Sequence, residues 1–182
     1  MHKITEQGLL TAVPFRPSPY CNDRPAHESI NLLVIHNISL PPAEFGGRYI
    51  DDFFLGQIDF SLHPYFETLR DKKVSAHILI DRNGDLIQYV PFSKRAWHAG
   101  VSKFEGRENC NDFSIGIELE GTDDIPFAKV QYQQLATLAH TLMAAYPITI
   151  DRIVGHSQIA PGRKSDPGPA FDWDYFLKLM NS

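Results

Sequence analysis

The sequence predicts an α/β fold in one domain, a central mixed β-sheet flanked by helices. Three observations carry this expectation. Apolar runs of strand length are interspersed with segments of helical spacing, the pattern of a sheet covered by helices. The turn Asp81-Arg82-Asn83-Gly84 joins two apolar runs and demands an antiparallel pair, so the sheet is not all-parallel. The 182 residues, 43% hydrophobic and 21% charged, suit one soluble core, and no repeat, low-complexity tract or linker divides them.

The elements follow in chain order. Residues 11–27, rich in Pro, Ser, Asn and Asp, read as an irregular arm over the domain, and residues 30–182 as its core within a single unit 1–182. Residues 30–36 form a nearly continuous apolar run, a strand buried on both faces that ends at His36-Asn37. A loop marked by Pro41-Pro42 and Gly46-Gly47 follows, then a short helix over 48–55. Residues 75–80 and 85–90 flank the Asn83-Gly84 turn as a hairpin. Residues 113–120 alternate, with Ile115, Ile117 and Leu119 on one face and Gly116, Glu118 and Glu120 on the other. Leu135, Leu138, Ala139, Leu142 and Met143 give helical spacing to 131–146. Residues 152–156 read as a further strand. Asp172 caps a last helix whose apolar face is Trp173, Phe176, Leu177 and Met180.

Composition removes several function classes. Net charge is -5 and no Lys/Arg run occurs, which excludes a nucleic-acid footprint. Residues 1–8 lack the apolar core of a signal peptide, and no apolar stretch reaches membrane-spanning length. Cys21 and Cys110 form no C-x-x-C motif and read as thiols of a reducing compartment. The expectation is a cytoplasmic monomer with neither nucleic acid nor membrane as partner.

Residues 155–169 carry the strongest chemical signal. His156 ends an apolar run, and Lys164 and Asp166 sit in the Pro/Gly-rich loop beyond it. His36 ends another strand. Two imidazoles and a carboxylate match the ligand set of a catalytic zinc site, which leaves a fourth position for water, whereas magnesium prefers more oxygen ligands. Structural histidines are the competing reading. Glu118, beside small Gly116, is the leading general base, or else part of a solvated face; Glu120 is expected to be the more exposed of the two. Lys164 either steadies an oxyanion or is an ordinary solvated loop lysine. His77 and His98, with the aromatic surface of Trp97, are placed to line a cleft, while His2, His27, His63 and His140 read as structural or exposed. No G-x-S-x-G elbow, Walker A loop or G-x-G-x-x-G fingerprint occurs.

With these residues assembled, the segments LLVIHNISLPPAEFGGRYIDDFF, VSAHILI, QYVPFSKRAWHAGVS, CNDFSIGIELEGTD and GHSQIAPGRKSDPGPAFDW, in that order, closely resemble the AmpD family of amidases. These are zinc-dependent N-acetylmuramoyl-L-alanine amidases within the wider peptidoglycan recognition protein group. The resemblance implies one Zn²⁺ per chain at His36, His156 and Asp166, with Glu118 and Lys164 in the roles above. It implies cleavage of the amide between the lactyl group of 1,6-anhydro-N-acetylmuramic acid and L-Ala, with anhydro-muropeptide as the substrate, in cytoplasmic peptidoglycan recycling. Asn37, Lys73, Trp97, His98 and Arg107 are the expected substrate contacts, with Lys73, Arg95 and Arg107 suited to the stem-peptide carboxylates. Asn109 stands where related enzymes often carry a second basic residue, which leaves the peptide anchor open. Retention of all five site residues argues against a binding module that has lost catalysis.

Overall fold

The structure is a computed structural model that describes residues 2–181; the expected limits at residues 1 and 182 lie outside the described residues. The mixed sheet expected from sequence is present. Its five strands are β2 (Leu32–Ile38), β3 (Ile78–Ile80), β4 (Leu86–Gln88), β8 (Ser114–Glu120) and β9 (Ile153–Gly155). They lie in the order β4-β3-β8-β2-β9, with only the β3–β4 pair antiparallel. The short β1 (Cys21–Asp23) pairs with β5 (Lys94–Ala96), and β6 (Lys103–Phe104) pairs with β7 (Arg107–Glu108). The helices are α1 (Tyr49–Phe54), α2 (Lys129–Ala145), α3 (His156–Ile159) and α4 (Trp173–Met180).

Period-two alternation decides which side of the sheet becomes the site. On β2, Leu33 and Ile35 join Ile115, Ile117 and Leu119 of β8 in a core completed by Leu135, Leu138 and Leu142 of α2 and Phe176 of α4. The opposite face of β2 buries Leu32 and Val34 against Phe113, Val154 and Ile159. His36 continues that second row, and the parallel register sets it directly beside Glu118. The continuous apolar run is thus explained by burial on both faces.

Several boundaries differ from expectation. Strand β2 runs one residue beyond the expected end at His36-Asn37, because pairing with β8 continues through Ile38. The arm is not wholly irregular, since β1 gains a partner in β5 that its own composition does not announce. Only Gly84 of the Asn83-Gly84 pair takes positive φ; Asp81 Oδ1 closes the turn by accepting from Asn83 N at 2.8 Å and Asp85 N at 2.9 Å. Residue His156 does not close a strand but opens α3, where Gln158 Oε1 accepts from Gly155 N at 2.7 Å and starts the helix. On α4, capped by Asp172 as expected, Phe176 and Met180 are buried while Leu177 stands 37% exposed, turned off the core-facing stripe.

Candidate metal centre and active site

Three segments converge on the exposed end of the β2–β8 pair. β2 delivers His36, the start of α3 delivers His156, and the loop after α3 returns Asp166. That return is tight: Ser157 N donates to Asp166 O at 3.0 Å. A Cβ on Gly155 would lie 2.7 Å from Pro167 Cδ, so the close approach requires glycine there. His36 Nδ1 lies 2.9 Å from His156 Nδ1 and 2.9 Å from Asp166 Oδ2, and His156 Nδ1 lies 3.1 Å from the same oxygen. Both imidazoles are buried.

The far sides of the rings assign their protons. His156 Nε2 faces the Ala99 carbonyl at 3.0 Å, and a carbonyl only accepts, so this nitrogen carries the hydrogen. His36 Nε2 faces His98 Nδ1 at 2.9 Å, and His98 Nε2 faces Ser114 Oγ at 3.1 Å. A proton on each ε nitrogen satisfies that relay. Burial holds His36 down to about 4 against the upward pull of Asp166, so the ring is neutral at neutral pH. Burial pushes Asp166 upward, while a hydrogen on Nδ1 of His156 or His36 would bond to it and hold it below the ordinary carboxylate range. With the ring hydrogens on the ε nitrogens that bond is missing, and three lone-pair atoms crowd together. Such a set calls for a cation. Zinc bonds of about 2.0–2.2 Å place tetrahedral ligand atoms roughly 3.4 Å apart, so these residues fit zinc after spreading by a few tenths of an ångström.

Glu118 stands beside this cluster. Its Oε2 is buried with no hydrogen-bond partner, an arrangement that costs free energy unless a ligand or water uses it. Burial, then the negative charge of Asp166, push its carboxyl well above the ordinary range, and Lys164 only partly offsets them. A raised value means that the metal-free folded chain keeps a proton which the unfolded chain, titrating near 4.5, releases. Between those two values stability falls as pH rises, by up to about 1.4 kcal/mol per pH unit. Glu118→Gln removes the penalty. Urea unfolding of the metal-free proteins is expected to show this variant gaining on wild type as pH rises above 4.5. A constant difference across that range would contradict the assigned protonation.

The expected order of exposure for the two glutamates is reversed. Glu120 is only 3% exposed, and its carboxylate accepts from Gly46 N at 2.6 Å and Arg82 N at 3.1 Å. It ties two loops to the sheet and is not a solvated neighbour. Lys164 is exposed and lines the cleft, which has a volume of about 570 Å³.

The other expected contacts divide. Asn37 lines the cleft, yet its Nδ2 donates to Asp123 Oδ1 at 2.7 Å and Pro167 O at 3.0 Å, which ties up both of its amide hydrogens. His98 lines the floor but faces His36 as a buried partner. Lys73 is exposed while its neighbour Lys72 lines the cleft. Trp97 stacks on Tyr20 and donates to Asn22 Oδ1 at 2.7 Å, outside the lining. Arg107 covers the Phe113 ring and pairs with Glu28 at 2.6 Å; Arg95 pairs with Asp112 at 2.5 Å. Neither lines the cleft. His77 is wholly buried, with its Nδ1 accepting from Gly116 N at 3.0 Å. Sequence reasoning missed Arg163, Tyr65 and Leu69 in the lining. Arg163 was legible as a cation beside Lys164; the other two lie in a short 3₁₀ helix, Pro64–Leu69, with no periodic signal.

Known proteins share the sequence and fold of this chain. The family described as N-acetylmuramoyl-L-alanine amidase matches residues 26–169. The chain is 56% identical over 177 residues to the 1,6-anhydro-N-acetylmuramyl-L-alanine amidase AmpD of Salmonella typhimurium, covering 97% of this chain and 95% of that protein. A crystal structure of a selenomethionine AmpD derivative superposes with a TM-score of 0.94 at 54% identity, over 97% of this chain and 99% of the other. The Escherichia coli amidase AmiD, in complex with anhydro-N-acetylmuramic acid-L-Ala-D-γ-Glu-L-Lys, gives a TM-score of 0.59 at 32% identity, over 97% of this chain and 65% of that one.

Proposed function

This chain belongs to the N-acetylmuramoyl-L-alanine amidase family, and from that premise we propose that it cleaves the lactyl–L-Ala amide of 1,6-anhydro-muropeptides in cytoplasmic peptidoglycan recycling. One observation carries the catalytic part: the close triangle of His36, His156 and Asp166 beside the unpartnered Oε2 of Glu118. The substrate bound in the AmiD complex supports the substrate class. Two free thiols, Cys21 and Cys110, suit a reducing compartment. Among the described residues no helix is long and apolar enough to cross a membrane.

His36, His156 and Asp166 would hold one zinc ion. Bound there, zinc supplies Lewis acidity for the amide carbonyl and lowers the pKa of water. Glu118 takes the proton from the attacking water and returns it to the L-Ala nitrogen as the C–N bond breaks. The Lys164 ammonium, at the cleft wall, stabilises the negative charge that develops on the carbonyl oxygen. Lys72 with adjacent Lys73 form the basic rim for the stem-peptide carboxylates.

The test compares hydrolysis of anhydro-muramyl-tripeptide and intact peptidoglycan, with and without a chelator. The tripeptide is expected to be the better substrate, with activity abolished by chelation and restored by zinc. Faster release from intact peptidoglycan would turn the reading towards a wall-degrading amidase.

A further inference from the structure

Both metal-facing imidazoles end, on their far sides, at two consecutive residues. The His98 ring takes His36 Nε2, and the Ala99 carbonyl takes His156 Nε2. That dipeptide belongs to neither a helix nor a strand, so no regular backbone ladder fixes it. Its two N–H groups instead donate to a single atom, Asn111 Oδ1, at 3.1 Å from His98 N and 2.8 Å from Ala99 N. Asn111 is 7% exposed and lies in the turn that leads into β8, and its own carbonyl accepts from Arg24 Nη1 at 3.1 Å. On β8 itself, Gly116 leaves room for the His98 ring, since a Cβ there would lie 2.4 Å from His98 Cγ. The turn that leads into the Glu118 strand therefore also anchors the segment that orients the two imidazoles.

We propose that Asn111 is a positioning residue for the metal centre, setting the angle of His36 through His98 and that of His156 through Ala99. The inference rests on the reading of His36, His156 and Asp166 as zinc ligands. Groups that hold ligating imidazoles from behind change metal affinity by about 10–100-fold when they are removed. Asn111 uses only its oxygen, so a carboxylate in its place keeps both bonds.

The experiment measures zinc dissociation by competition with a chromogenic chelator, alongside circular dichroism and the melting temperature of the metal-free proteins. Asn111→Ala is expected to weaken zinc binding about 10–100-fold, with Asn111→Asp restoring it to within about threefold of wild type. If the Ala variant does not fold, Asn111→Ser, too short to reach both N–H groups, is measured in the same way. A folded Ala or Ser variant with wild-type zinc affinity overturns the proposal, as does failure of both to fold, which would make Asn111 a folding residue only. A wild-type chain that takes up no zinc would instead sink the metal assignment itself.

Discussion

Glu118→Gln is expected to lower kcat/KM by about 10²–10⁴-fold while leaving zinc content at one per chain. The substitution keeps the shape of the side chain and removes its ability to take a proton. Nothing in the ligand triangle changes, because Glu118 contributes no atom to it. Loss of a general base acts on the transition state, so the fall is expected in kcat with KM little altered. Steady-state kinetics on anhydro-muramyl-tripeptide, with metal analysis of the same samples, separate the possibilities. A variant that hydrolyses at the wild-type rate removes Glu118 from the mechanism. One that is inactive because it has lost zinc makes Glu118 a ligand.

Asp166→Ala is expected to act in the opposite order, losing the metal first and activity as a consequence. The carboxylate is the only anion in the triangle, and His36 and His156 alone leave a neutral donor pair. Zinc affinity should fall by at least about 10²-fold, more than for removal of a group behind a ligand. Excess zinc should then recover part of the activity, since Glu118 and Lys164 remain. Equilibrium dialysis and activity titrations against zinc measure both effects. Wild-type affinity in this variant would exclude Asp166 as a ligand.

Legibility in the sequence differed from group to group for physical reasons. The proposed ligand types were readable because chemistry restricts them: few side chains bind zinc, and His36 and His156 follow apolar runs, with Asp166 in the Pro/Gly-rich loop beyond. Hairpin, capped last helix and long amphipathic helix were readable because local conformational preferences produce them. The roles of Glu118 and Glu120 were not. Alternation puts both on one face, but Gly46 and Arg82, distant in sequence, donate to Glu120 and leave Glu118 Oε2 unpaired. Likewise, Arg95 and Arg107 look like free cations in the sequence and are committed to Asp112 and Glu28 in the fold.

By itself, the sequence determined the fold class, the candidate donor set and the strand faces, because hydrophobic period and side-chain chemistry act locally. Only the tertiary structure decided which atoms meet. Nδ1 of both imidazoles faces inward because a carbonyl and a third histidine occupy their other sides. The acceptor that places those two groups, Asn111, is 12 residues from Ala99 and 75 from His36 in sequence. Orientation of a ligand depends on hydrogen bonds between distant segments, and these exist only once the core has brought the segments together.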